Sequence, residues 1–355
     1  MKTIHSFIRR LLPRKALRVP AYQLVDDYIA ERSLEAGWSK GTAKVAGSFK
    51  SHIGRFSKDM TLAQLAGKGR GEFVNYLRYG ACLEETTVKK YYKSLRSFLS
   101  WAEVRGYLGH ETTLCRDPVF KTPARPVVFL SIDELVGLMN YELPPEGSAV
   151  SLTGIDGRPY LKTVRGRKRL SRARDLFCFS ALTGLRYSDL AAVRSCDIRD
   201  GELSLVSKKT SRRIAVMLGS CAMGILEKYR GSRDGRPLPL MSNQRMNACL
   251  KEVCELFGLN QPVHLTGFKA GKRYDKTVPR HSLITSHCGR RTFICSMLSL
   301  GIAPQVIMKM TGHSNYSSMK PYIDTTEKDK SLAIEALELR LAGRGVGQNS
   351  EKVLF

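Results

Sequence analysis

The sequence predicts a two-domain, mainly α-helical protein with a small antiparallel β-sheet in its C-terminal half. Three observations carry this expectation. Apolar residues recur at three- and four-residue spacing through much of the chain, the period of a helix with one buried face. Strict alternation, the period of a half-buried strand, marks residues 202–206 and 213–217 on either side of a Lys-Lys-Thr-Ser turn. A run with three prolines, DPVFKTPARPV at 117–127, breaks both periods and reads as part of an interdomain linker. At 355 residues the chain is long enough for two cores.

Composition narrows the partners. With 58 Lys+Arg against 32 Asp+Glu, the formal net charge is +26, which implies a polyanion, most simply nucleic acid. The nine cysteines are odd in number and show no C-x-x-C spacing. Neither a zinc site nor a disulfide framework follows, and reduced thiols in the cytosol are expected. No run of 18 apolar residues occurs, and the start of the chain shows no signal-peptide pattern.

Residues 1–20 hold Lys2, Arg9, Arg10, Arg14, Lys15 and Arg18 with few acids, a basic arm or a solvated tail. A helical domain is expected over 21–112. Its first stripe is Tyr22, Val25, Tyr28 and Ile29; its second is Val45, Phe49, Ile53 and Phe56. A third short helix spans Gly71 to Tyr79. Thr86 or Thr87 caps a fourth with Val88, Tyr91, Leu95, Phe98, Leu99 and Ala102 inward. Off these stripes lie Lys44, Lys50, Arg55, Lys89, Lys93 and Arg96, candidate contacts to DNA phosphates, although a solvated face is the better explanation of any single lysine. The linker is placed at 113–127.

The second domain is expected over 128–341, opening with a helix from Ser131 whose first turn carries Asp133 and Glu134. Residues 143–170 are rich in Gly, Pro and Arg and read as a loop, with Lys162, Arg165, Arg167, Lys168 and Arg169 as a basic tail. An apolar helix through Leu176, Phe177, Phe179 and Leu182 stops at Gly184. Arg186 follows at a buried turn, where a guanidinium is costly unless it meets an anion. Asp189 is read first as a cap of the next helix, with bracing of an arginine as the alternative.

The most informative stretch is 286–322. His287 and Arg290 stand three apart on a helix running to about Leu300, so both address one small object. Gly301 and Pro304 punctuate it, a second short helix ends at Gly312, His313 follows at the turn, and Tyr322 comes on a third helix. Arginine presents a planar fork suited to phosphate oxygens. A tyrosine hydroxyl, with a pKa near 10, becomes a nucleophile only beside cations. Each residue alone has an ordinary reading as a cap, a helix stop or a surface group. Together they suggest attack of Tyr322 on a phosphodiester.

The pattern His287-Cys288-Gly289-Arg290-Arg291-Thr292-Phe293, Thr311-Gly312-His313 and Tyr322 resembles the C-terminal signature of the tyrosine recombinase (phage integrase) family. The wording SH-x-x-RRTF and M-x-x-TGHS looks most like integrases of Bacteroides-type mobile elements. The string TGLRYSDL resembles the family's first arginine box, centred on Arg186, and TTVKKYYKSLRSFLSWAEVRGYL resembles its SAM-like core-binding domain. The resemblance covers about residues 20–340, marks 143–170 as an insertion between helices that family members join more directly, and implies site-specific recombination of double-stranded DNA through a 3′-phosphotyrosine. It implies Arg186, Arg290 and His313 on the phosphate, His287 as the base, and Lys209 as the acid, with Lys208 as rival. It further implies no cofactor, ATP or metal, a homotetramer on paired sites, and possible accessory DNA-bending or directionality proteins. The implied setting is the bacterial cytoplasm, beside the nucleoid. Inversion and dimer resolution stay open beside integration, as does a binding-only regulator from another class. Residues 328–341 are expected to form a further helix, and 342–355 a loose tail.

Overall fold

The computed structural model describes residues 19–109, 117–231, 236–313 and 315–323. The expected N-terminal arm, the helix at 328–341 and the C-terminal tail lie outside these. The described residues divide into two units. One holds those up to Arg125 together with Leu265–Lys276, and the other holds Pro126–His264 and those from Thr277 onward.

The first unit is built from α1 (Ala21–Glu35), α2 (Lys40–Phe56), α3 (Leu62–Ala66), α4 (Gly69–Asn75, continued by a π turn to Gly80) and α5 (Glu85–Val104). Ser39 caps α2 by accepting from the Thr42 amide, and Thr61 forms a reciprocal capping box with Gln64 on α3. The expected four helices are thus five, because α3 is too short to show a period. The cap of α5 also differs from expectation. The helix starts earlier, from Glu84, leaving Thr86 and Thr87 inside its first turn with no side-chain cap. Tyr28, Phe49, Phe73, Phe98 and Trp101 form an edge-to-face aromatic core, each ring worth about 1.5–3 kcal/mol of burial.

The proline-rich run is fastened at its start. Asp117 accepts from the Tyr92 hydroxyl (2.8 Å) and from Arg96 (2.7 Å). Arg78, paired with buried Glu85, also donates to the Val119 carbonyl at 2.8 Å.

The second unit begins with α6 (Ile132–Asn140), capped by a Ser131–Glu134 box. The 143–170 segment is no plain loop. It forms a hairpin of β1 (Ala149–Thr153) and β2 (Pro159–Thr163), paired from Ala149↔Thr163 to Thr153↔Pro159. Both faces are largely exposed, so its residues carry no apolar alternation to betray it. Tyr160 and Lys162 both reach Glu255, on the helix Asn243–Leu256.

α7 (Arg167–Thr183) is the central helix, with Leu176, Phe177 and Phe179 fully buried. A single turn, α8 (Tyr187–Leu190), leads to the sheet β3 (Ile198–Arg199), β4 (Glu202–Val206) and β5 (Arg213–Met217). β4 and β5 match the expected strands, and their register pairs buried Leu203 with Val216 and Leu205 with Ile214. Then come α9 (Ser220–Lys228), α10 (Asn243–Leu256), and a hairpin of β6 (Pro262–Lys269) and β7 (Lys272–Pro279) that sequence reading missed and whose residues Leu265–Lys276 belong to the first unit. Its turn, Ala270-Gly271, has both residues at positive φ, the signature of a two-residue hairpin turn. The described residues close with α11 (Ser286–Ser299), α12 (Pro304–Thr311) and α13 (Lys320–Ile323).

Candidate active site

Three close approaches set the site. Gly184 ends α7 in the left-handed region (φ +69°), and a Cβ there would lie 2.6 Å from Phe293 Cδ1 and 2.9 Å from Thr311 Cγ2. Gly289 lets α11 press onto α7, since a Cβ would meet Ser180 Oγ at 2.9 Å and the Phe177 carbonyl at 3.1 Å. Gly312 (φ +64°) ends α12 against β5, where a Cβ would touch Ile214. Only glycine permits these contacts without strain. They bring the end of α7, the middle of α11 and the end of α12 to one point.

Arg290 sits at that point, with 0% of its surface exposed. Its Nη1 donates to the Gly184 carbonyl at 2.9 Å, while Nε is buried with no acceptor among the described residues. None of the ion pairs among the described residues involves its guanidinium. A buried cation without a contacting counter-ion carries an effective penalty of several kcal/mol. Burial and the charge of Arg186 lower its pKa to about 9, with Tyr322 and Asp189 acting the other way.

Arg186 stands at the N-cap of α8 and donates to the Thr311 carbonyl at 3.4 Å. It lies 3.8 Å from Asp189, whose side chain is wholly buried. Of the two roles open for Asp189, the structure shows bracing. Its carboxylate accepts from Ser207 Oγ (3.1 Å) and from the Lys208 amide (2.9 Å), tying the β4–β5 turn to the Arg186 turn.

His313 meets Arg290 Nη2 through Nε2 at 2.9 Å and Thr311 Oγ1 through Nδ1 at 2.7 Å. The Thr311 hydroxyl already donates to the Ile307 carbonyl, so it accepts from Nδ1–H. Nε2 is then the bare nitrogen that accepts from Arg290. The ring expected to donate to a phosphate is therefore an acceptor here, neutral and held by its neighbours. Burial, then Arg290, Arg186, His287 and Lys209, push its pKa down to about 3. His287 keeps a solvent-facing edge, yet crowding and the charges of Arg291, Arg290, Arg186 and Lys209 lower it to about 4. Both imidazoles are thus bases at neutral pH.

Lys209's charge acts on both imidazoles. Lys208 is tethered through its backbone to Asp189. Tyr322 is 8% exposed, packed with Phe293, Ile294, Ile307 and Met319, and close enough to influence Arg290 electrostatically. All six residues singled out from sequence therefore fall in one neighbourhood. Sequence reading missed Thr311, which sets the His313 tautomer, and Ser207. Thr311 stands two residues before His313, within hydrogen-bonding reach of its imidazole.

In the first unit, Lys44, Arg55, Lys93 and Arg96 are exposed, and Lys89 is half-buried. Lys50 is engaged with Asp26 at 2.6 Å and Arg96 with Asp117. Among the described residues, no three His, Cys, Asp or Glu side chains gather as a metal site. No described helix is long and apolar enough to cross a membrane.

Sequence models of the phage integrase family match residues 161–329, and of the phage integrase SAM-like domain residues 22–114. The chain belongs to the phage integrase family of tyrosine recombinases. It is accordingly a tyrosine-type site-specific recombinase with a SAM-like N-terminal domain and an integrase catalytic domain. No curated protein sequence matches it. Among solved structures, the recombinase is similar to a lambda integrase dimer bound to a COC′ core site, with TM-score 0.58 and 16% identity over 92% of this chain and 82% of that one. It is similar to the Tn1549 transposon integrase in complex with a circular intermediate DNA, with TM-score 0.61 and 13% identity over 90% and 99%. A lambda integrase tetramer bound to a Holliday junction gives TM-score 0.54 and 16% identity over 88% and 86%. At these identities the likeness is one of fold.

Proposed function

We propose that this recombinase integrates and excises a mobile DNA element, with Tyr322 as nucleophile. The observation that carries the chemistry is Arg290: a fully buried guanidinium without a carboxylate in contact, beside a second arginine, two neutral imidazoles and a tyrosine. Such a group stabilises an anion brought to it, and a phosphodiester supplies one where charge grows in the transition state.

In the proposed reaction the Tyr322 oxygen bonds to phosphorus as the bond to the 5′-oxygen breaks, leaving a 3′-phosphotyrosine and a 5′-hydroxyl. His287 takes the phenolic proton, since its ring is unprotonated at neutral pH. Lys209 gives a proton to the leaving oxygen. Arg186 and Arg290 hold the non-bridging oxygens. Arrival of the phosphate draws Arg290 Nη2 off His313, and the added negative charge favours a protonated ring that then donates. The phosphotyrosine conserves the bond energy, so a 5′-hydroxyl of another duplex reverses the step without ATP or metal.

The partner is double-stranded DNA, gripped by the SAM-like domain over 21–112 and the catalytic domain over 128–341. Strand exchange between two duplexes needs four active sites, and the lambda integrase tetramer on a Holliday junction supports that assembly. The enzyme works in the cytoplasm, where the chromosome is.

The test incubates purified protein with nicked duplexes drawn from the DNA junctions flanking its gene. A protease-sensitive covalent adduct is expected in EDTA, absent from Tyr322→Phe. An adduct that survives in Tyr322→Phe, or none with the native protein, overturns the assignment.

A further inference from the structure

Resting on that reading, we infer that a cleft beside His313 receives the phosphate adjoining the scissile one on the cleaved strand, held by Lys309 and Arg212. The cleft is about 340 Å3 and lies wholly within the second unit. One side is the start of β5 with Arg212 and Arg213, and the other is α12 with Gln305, Met308 and Lys309. Gly312 and His313 complete the lining, so the cleft borders the residue that contacts Arg290. An occupant therefore abuts the reacting phosphate.

The lining is cationic, with no carboxylate among the described residues. Arg212 Nη1 donates to the His313 carbonyl at 3.3 Å, which holds the guanidinium beside His313. Arg213 is engaged with Ser204 Oγ at 3.0 Å and is less free to turn. Lys309 and Gln305, one helical turn apart, have no side-chain partner among the described residues. Residues four apart on a helix share a face, so an ammonium and an amide are offered together. The left-handed turn at Gly312 seats α12 directly against Ile214 of β5, which holds the two walls at this spacing. A fixed guanidinium opposite an uncommitted lysine suits a phosphate with charge on two oxygens. Through the Arg212–His313 contact, its occupancy would also hold the imidazole in register with the scissile group.

The experiment replaces single phosphates flanking the scissile position with neutral methylphosphonates, one at a time, in the nicked duplex described above. At one flanking position the native protein is expected to cleave about tenfold more slowly, roughly the worth of one charge-assisted hydrogen bond. Lys309→Gln should show a similar loss on unmodified DNA and no additional loss with that methylphosphonate. If the two losses multiply at every position, the inference is overturned. Equilibrium binding by Tyr322→Phe protein reads the same coupling without chemistry, so absence of cleavage would sink the catalytic assignment while this arm still decides the subsite. In that arm Lys309→Gln should also lower the salt slope of binding by about one. An unchanged slope together with multiplying losses places Lys309 away from DNA.

Discussion

Arg290 Nη1 donates to the carbonyl of Gly184 at 2.9 Å, joining the middle of one buried helix to the left-handed end of another. The glycine makes the turn, its carbonyl steers the guanidinium, and the turn continues into Arg186. One backbone position therefore orients both arginines.

Gly184→Ala should destabilise the second unit by about 2–4 kcal/mol, the sum of a strained left-handed alanine and overpacking against Phe293 and Thr311. Urea denaturation measures it. A change below about 1 kcal/mol would mean the contact relaxes freely.

Arg290→Met should abolish adduct formation, a loss of at least about 10²-fold. Stability should hold or rise, because a buried, uncompensated charge is replaced by an apolar chain of similar length. Thermal unfolding and cleavage measured on one preparation decide this. A fall in both would make Arg290 structural rather than functional.

Asp189→Ala should cost about 3–5 kcal/mol, as expected for removing one partner of a buried charged network. Asp189→Asn should recover part of that loss while cleavage stays low, since it cannot hold Arg186 by charge. Full cleavage in the Asn variant would separate Asp189 from Arg186 positioning.

Lys209→Ala should slow cleavage by about 10²–10⁴-fold if it is the acid, and Lys208→Ala by only a few-fold. A 5′-bridging phosphorothiolate, whose sulfur leaves without a proton, should restore Lys209→Ala. Failure of that rescue would remove Lys209 from proton transfer.

His287 and His313 titrate near 4 and 3 in the folded protein, below the ordinary 6.5. Between pH 6.5 and about 3 the unfolded chain therefore binds more protons, and stability should rise with pH through that window and level off above it. His313→Asn should flatten the slope seen by denaturant titration at several pH values. A slope unchanged by His313→Asn would mean its ring is not held neutral by the fold.

Much of the site was legible because its spacings are local. His287 and Arg290 share a face at any helical period, and Gly184 and Gly312 mark stops that the backbone requires. The hairpins at 149–163 and 262–279 were not legible. Their residues are largely exposed or half-buried on both faces, so burial imposed no alternation on them. Their turn residues, Ile155-Asp156-Gly157 and Ala270-Gly271, were the only local cues.

By itself, the sequence determined the helical period of both units, the β4–β5 pairing, the two arginine turns and the identity of the nucleophile candidate. The first three follow from residue order, because periodicity and glycine stops act over a few residues; the nucleophile candidate follows from the resemblance of the 286–322 pattern to the tyrosine recombinase signature. Tertiary structure alone decided that Arg290 is wholly buried, that His313 accepts from Arg290 through Nε2, that Asp189 braces instead of caps, and that Lys209's charge acts on both imidazoles. Each depends on which distant segments share one low-dielectric space, and residue order does not encode that locally.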